Sequence, residues 1–173
     1  MKTLLIVWYS RTGASEALAG ACAEAARLEF GGIGQGPVPT DCQAVLQRCD
    51  RVDDEALTHA DALVFVCPEN LGTMAGAMKE FFDRHYYSAL GKLNGRAYAC
   101  IVAAGSDGAG AVRQIERIAQ GWRLNRVAQS VIVNTLAQTP AQILAPKRLT
   151  LDQIKPAQEL GQMLAAGLMM GIY

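Results

Sequence analysis

A chain of 173 residues suits one domain with one sizeable core. With 51% hydrophobic and 18% charged residues it belongs among folded globular proteins and not disordered ones. Lys plus Arg and Asp plus Glu both number 16, and a formal net charge of zero argues against a nucleic-acid binder and against a carrier steered to its partners by long-range charge.

The opening MKTLLIVWYS has a Lys and an apolar run. The run is only about seven residues and no small-residue cleavage site follows, so Thr3 to Tyr9 reads as a first strand, not a signal peptide. Leu18, Ala21, Cys22, Ala25 and Leu28 then recur at helical spacing, and Gly31 and Gly32 end that helix. The stretch from Gly31 to Thr40 reads as a loop, and Cys42 to Cys49 alternates loosely as a strand would. A second buried-strand run, Asp61 to Cys67, is expected to stop at Pro68. Met74, Met78, Phe81, Phe82 and His85 define a helix face.

Arg96 to Ala104 forms another apolar strand, followed by GSDGAG. Val112, Ile115, Ala119 and Trp122 make the next buried stripe, with Arg113, Glu116 and Arg117 opposite. Ser130 to Thr135 is the last strand. A terminal helix carries Leu160, Met163, Leu164 and Leu168, with Pro156 near its first turn, where a missing N–H does no harm. LAAGLMMGIY is shorter than the ~20 residues of a membrane span, so the expectation is a soluble, cytoplasmic protein with no membrane partner.

Strands alternating with helices predict a five-stranded parallel sheet covered on both faces, in a single domain spanning 1–173. Ligands of such sheets bind outside the carboxyl ends of the strands. Three loops follow strand ends here, Ser10 to Ser15, Pro68 to Thr73 and Gly105 to Gly110, and all three should share one edge.

The first of these, SRTGAS, offers an anion site. Ser10, Thr12 and Ser15 each bring a hydroxyl, Gly13 lets several N–H groups converge, and the helix points its positive end at the ligand. The simpler reading is a helix cap supplied by Ser15. A cap explains one hydroxyl, and three around a glycine favour an anion. The five cysteines form no C-x-x-C pair, and the two histidines, His59 and His85, lie far apart, so no zinc spacing appears. Cys22, Cys67 and Cys100 read as small buried hydrophobes. Lys79 and Asp83, four apart on a helix, read as a surface ion pair, and His85 as packing.

These residues carry a resemblance. SRTGAS is similar to the S/T-x-T-G-x-S/T phosphate loop of flavodoxins and related FMN-dependent NAD(P)H oxidoreductases. Cys67 to Arg84 resembles the segment those oxidoreductases place beside the flavin ring, with Pro68, Gly72, Met74, Lys79, Phe82, Asp83 and Arg84 in position. The third loop resembles theirs more weakly. The resemblance implies a flavodoxin-like α/β fold, a doubly wound five-stranded parallel sheet in order 2-1-3-4-5, and bound FMN. The phosphate would sit on Ser10, Arg11, Thr12, Gly13, Ala14 and Ser15. The ring would lie between Pro68, Glu69, Asn70, Leu71, Gly72 and Thr73 on one side and Gly105, Ser106, Asp107, Gly108 and Gly110 on the other, with main-chain amides donating to it.

One departure stands out: Asn70 and Leu71 occupy positions where many members carry an aromatic residue against the ring. Glu69 reads either as a solvent-facing strand end or as a substrate contact. The resemblance further implies NAD(P)H as co-substrate, a quinone, nitroaromatic or free flavin as the small-molecule electron acceptor, and a homodimer or higher homo-oligomer.

Rival patterns fail on the residues. The phosphate-binding G-x-x-x-x-G-K-[ST] is absent, and in GAGAVR Arg113 stands where a dinucleotide fingerprint needs its third glycine. AGSDG approximates a nucleophile elbow at Ser106, but both histidines precede that serine, against the chain order such hydrolases use. A phosphorelay receiver needs an Asp where Cys67 and Pro68 stand. The remaining alternatives are a flavodoxin-type electron shuttle without nicotinamide activity and a flavin-free interaction domain, against which the intact hydroxyl loop argues.

Overall fold

In the computed structural model, which describes residues 1–31 and 41–173, the apolar runs become adjacent strands. The elements are β1 (Lys2–Trp8), α1 (Ala14–Phe30), β2 (Cys42–Arg48), α2 (Asp54–His59), β3 (Ala62–Asn70), β4 (Thr73–Met74), α3 (Gly76–Arg84), α4 (Tyr86–Ala89), β5 (Ala97–Ala104), α5 (Ala109–Gly121), β6 (Asn125–Arg126), β7 (Val131–Asn134), α6 (Pro140–Leu144) and α7 (Leu151–Met169). The expected Gly31 to Thr40 loop, apart from Gly31 and with Gly32 as a helix stop, lies outside the described residues.

The parallel order is β2-β1-β3-β5, with β6 and β7 both pairing the free edge of β5. Taken as one interrupted edge strand, β6 and β7 supply the fifth position of the 2-1-3-4-5 order. The short β4 is the return arm of a hairpin and pairs antiparallel with β3.

Alternate strand residues go to opposite faces, which makes two cores. Leu4, Ile6, Val64, Val66, Ala99 and Ile101 pack under α1 and α7. Leu5, Val7, Leu63, Phe65, Cys100 and Val102 pack under α3 and α5. The second core is aromatic: Phe65 lies 4.9 Å from Phe82, which meets Trp122 at 5.1 Å. Burial on both faces explains why β1, β3 and β5 read as unbroken apolar runs.

Several expectations shift. The buried stripe of α1 runs through Leu18, Ala19, Cys22 and Ala26, while Leu28 is 47% exposed. Met163, expected on the buried face of α7, is exposed as well. Pro156 lies in the second turn and not near the start of its helix, because a capping box of Thr150 and Gln153 begins α7 at Leu151. β3 continues through Pro68, since β1 has already ended opposite Val66 and the missing N–H is not needed there.

Lys79 and Asp83 form the expected exposed pair at 2.6 Å. Buried His85 packs on Phe81 with ring centroids 4.9 Å apart. Its Nε2 lies 3.1 Å from the Val52 carbonyl and its Nδ1 2.6 Å from Asp54 Oδ1. The Ser88 hydroxyl also donates to Asp54, and these two hydrogen bonds, Ser88 foremost, hold the Asp54 carboxyl below its ordinary value of 3.8.

α1 and α7 approach closely because Gly161 leaves room: a Cβ there would stand 2.2 Å from the Cys22 carbonyl oxygen. Gly161→Ala is expected to lower stability by roughly 1–3 kcal/mol. Gly20→Ala, with nothing within 4 Å of the added carbon, should be neutral or stabilising by up to about 1 kcal/mol. Urea titrations of the two variants check the pair. For Asp54, a depressed folded pKa means stability present above pH 3.8 and lost as the pH falls through the lowered value. The stability gap between the unaltered chain and Asp54→Asn should therefore be full at neutral pH and close in acid, as read by melting curves over a pH series.

Candidate functional site

Behind β1 the chain turns through Ser10 to Gly13, where φ at Gly13 is 95°, a left-handed conformation that suits glycine. The Gly13 N–H donates to Ser10 Oγ at 3.0 Å. Gly13 is also the N-cap of α1 and brings no capping side chain. Ser15 is the second helical residue, not the cap, so the simpler reading of this loop fails. The N–H groups of Ala14, Ser15 and Glu16 have no protein acceptor among the described residues. Ser15 itself is 1% exposed and its Oγ has no partner. An unpaired buried hydroxyl costs about 1–3 kcal/mol, so this one is a standing demand for an acceptor. Trp122 Nε1 is also unpaired, but it sits edge-on to Phe81 and Phe82 in the aromatic core at the far end of α5. Arg11 is exposed and Thr12 half-buried.

The second loop is a hairpin. Pro68, Glu69 and Asn70 belong to β3, Glu69 pairs Met74, and Asn70 pairs Thr73. Leu71 (φ 53°) and Gly72 (φ 73°) are both left-handed, as a two-residue type I′ turn requires. Leu71 stands at the tip, fully exposed. At the two positions of the departure, Asn70 ends β3 opposite Thr73 and Leu71 projects from the turn.

The third loop corrects an expectation. Glu69 neither faces solvent at a strand end nor stands free for a substrate. Its Oε2 accepts from the Gly108 N–H at 2.8 Å, and its Oε1 from those of Gly110 at 3.1 Å and Ala111 at 3.3 Å. Two of the amides expected to face a flavin ring, Gly108 and Gly110, are therefore engaged within the protein. The glycines have packing reasons too. A Cβ on Gly110 would lie 1.9 Å from the Gly72 carbonyl oxygen, on Gly108 2.6 Å from Ile132, and on Gly105 2.9 Å from the Ala137 carbonyl oxygen. Ser106 and Asp107 remain exposed, and their N–H groups have no acceptor among the described residues.

A segment that sequence reasoning passed over joins the outer loops. Residues 135–149 leave β7, form α6 and return to α7. The Lys147 N–H donates to the Thr12 carbonyl at 2.6 Å, and the Gln138 side chain donates to the Gly105 carbonyl at 3.2 Å. Asn134 Nδ2 donates to the Ser106 carbonyl. Two capping boxes, Thr139 with Gln142 and Thr150 with Gln153, punctuate the segment and were visible as T-x-x-Q in the sequence.

Beside the hairpin, Gly72, Thr73, Gly110, Arg113, Gln114 and Arg117 line an open groove of about 630 Å³. The groove's carboxylate, Glu116, is tied to Arg126 and Ser130, which leaves Arg113 and Arg117 without an ion-pair partner among the described residues. Cys22 and Cys67 are held protonated by burial, their thiols pushed up to about 12, and Cys49 and Cys100 to about 11. Among the described residues, no cluster of His, Cys, Asp or Glu is placed to hold a metal ion, and no helix is long and apolar enough to cross a membrane.

The family model described as NADPH-dependent FMN reductase matches residues 10–138. Among solved structures, an archaeal flavodoxin aligns at 14% identity over 95% of this chain and 96% of its own, with a TM-score of 0.72. The flavodoxin, WrbA-like protein from Agrobacterium tumefaciens aligns at 19% identity over 96% of both chains, TM-score 0.66. The flavodiiron protein from Giardia intestinalis aligns at 19% identity over 96% of this chain but only 36% of its own, TM-score 0.70. The fold is thus flavodoxin-like. No curated protein matches.

Replacing Ser15 with Ala separates the two things that serine does. Without ligand, Ser15→Ala should melt higher, by about 1 kcal/mol of added stability, because an unpaired hydroxyl is gone. Its affinity for a phosphate monoester should fall roughly tenfold, the worth of one hydrogen bond to a charged acceptor. Thermal melts with and without FMN read both signs.

Proposed function

Since the chain belongs to the NADPH-dependent FMN reductase family, we propose that it binds FMN and passes two electrons, as hydride, from NAD(P)H to a quinone, nitroaromatic or free flavin. The observation that carries this reading is the start of α1, where three unpaired amides and the orphaned Ser15 hydroxyl surround a left-handed glycine. That donor set suits a phosphate dianion and meets no acceptor among the described residues.

The residues present fit FMN at both ends. Ser10, Thr12 and Ser15 and the amides of Ala14 to Glu16 would hold the phosphate. The Asn70 to Thr73 hairpin and Gly105 to Asp107 would flank the ring, with the free N–H groups of Ser106 and Asp107 facing its polar edge in place of those of Gly108 and Gly110. When bound, the flavin supplies reversible hydride acceptance. The protein supplies orientation and exclusion of water. No histidine is needed as an acid: His85 is buried against Phe81, and the His59 ring is bonded to the Glu55 carbonyl on α2.

The groove along α5 supports a phosphorylated co-substrate. Arg113 and Arg117 are exposed, four residues apart, and adjoin the hairpin that would wall the ring. Both suit the phosphates of a nicotinamide dinucleotide. On the same reading the protein works in the cytoplasm as a homodimer or larger assembly, and exposed Tyr86, Tyr87 and Leu90 around α4 offer apolar surface for that contact.

The test is an absorption spectrum after FMN addition, followed by menadione reduction with NADPH and with NADH. Expected are a flavin spectrum retained through gel filtration and turnover with at least one nucleotide. The double variant Arg113→Ala, Arg117→Ala should raise KM for the nucleotide roughly tenfold or more with kcat little changed. Failure to retain FMN removes the reading. Retention without turnover, and with electrons entering in two separate one-electron steps, would assign a flavodoxin-type shuttle instead.

A further inference from the structure

Glu69 makes three hydrogen bonds, and all of them go to backbone N–H groups at the head of one helix. α5 is 13 residues long and its N-cap, Gly108, contributes no side chain. The carboxylate replaces that missing cap from 39 residues away in the sequence. No cation pairs with Glu69 among the described residues; the ion pairs of this chain lie elsewhere. A helix N-terminus carries the equivalent of roughly half a positive charge. A full negative charge placed on it more than offsets that half charge at the helix head, where the hairpin meets the third loop.

We propose, on the reading that FMN binds at this edge, that Glu69 sets the reduction potential of the bound flavin and holds it low. Reduction adds electrons, and so negative charge, to a ring lying between the two loops that Glu69 ties together. A helix head left uncompensated would stabilise that charge. This one is over-compensated by a fixed carboxylate, which opposes it. The chain is thereby biased toward giving electrons to an acceptor and against retaining them. Glu69 is a positioning residue as well: its bonds and the close seat of Gly72 on Gly110 fix the two loops as one corner.

Two substitutions separate charge from geometry. Glu69→Gln removes the charge but keeps one acceptor oxygen for the amides, its NH2 replacing the other oxygen and losing the bonds made there, whereas Glu69→Ala removes the charge and every acceptor. The measurements are FMN affinity in the oxidised and reduced states, the midpoint potential by dye equilibration, and the melting temperature without flavin. Glu69→Gln is expected to favour reduced over oxidised FMN about tenfold more than the unaltered chain does, a rise of about 30 mV for a two-electron couple, with its melting temperature lowered less than that of Glu69→Ala. Glu69→Ala should raise the potential and also melt lower.

An unmoved or lowered potential in Glu69→Gln, with FMN still bound, overturns the proposal and leaves the FMN reading intact. Failure of the unaltered chain to bind FMN overturns both. Should Glu69→Gln not fold, Ser106→Asp adds a carboxylate at an exposed position of the same corner. It must then lower the potential, and a rise or no change overturns the proposal.

Discussion

A parallel sheet leaves its helices starting at the edge where its strands end, and the first N–H groups of each helix have no carbonyl one turn back to bond. Every one of those groups needs an acceptor. The two helices that begin beside the central strands meet that demand differently. At α5 the carboxylate of Glu69 accepts from Gly108, Gly110 and Ala111, leaving only the Ala109 N–H without an acceptor among the described residues. α1 has no such acceptor among them: its cap is a bare glycine, and the one hydroxyl in its first turn is buried and idle. Polar hunger at one helix head and its satisfaction at the other locate the candidate site more sharply than any cavity does.

The glycines at this edge fall into two groups with different causes. Gly13 and Gly72 adopt backbone angles that other residues avoid. Gly105 and Gly110 keep ordinary angles but lie against other backbone, so a single added carbon would collide with a carbonyl oxygen; Gly108 combines a left-handed angle with close packing, there against the Ile132 side chain. A glycine-rich loop is therefore not by itself a ligand loop. Here the third one is packed against its own chain, and only Ser106 and Asp107 at its crest stay open.

Much of this was readable beforehand. β1, β3 and β5 are buried on both faces and announce themselves as continuous apolar runs. The hydroxyl loop was legible because Ser10, Thr12, Gly13 and Ser15 follow directly on one of those strands. The edge was harder: β7 was legible in the run from Ser130 to Thr135, but β6 is two exposed polar residues set off from it by Val127 to Ser130, and no run marks it. Pro68 misled because a proline stops a strand only where its N–H would be used, and the sequence does not show where β1 ends. The role of Glu69 was out of reach for a simple reason. Its partners are backbone amides from 39 to 42 residues away, and backbone amides have no sequence. The 135–149 segment was legible through its T-x-x-Q pairs and went unread because it lacks a buried face.

α1 carries the candidate anion loop on its head and Cys22 midway along its length, and Gly161 of α7 presses on the Cys22 carbonyl. The helix that positions the anion donors is thus braced by the last helix of the fold, joined to it by nothing shorter than the intervening sheet. Contacts of such long sequence separation form late and carry the largest loop-closure penalty. A nascent chain emerging from the ribosome would own every donor of the anion cradle long before it could hold them still. Competence to capture the nucleotide would arrive in one step, with the docking of its final helix.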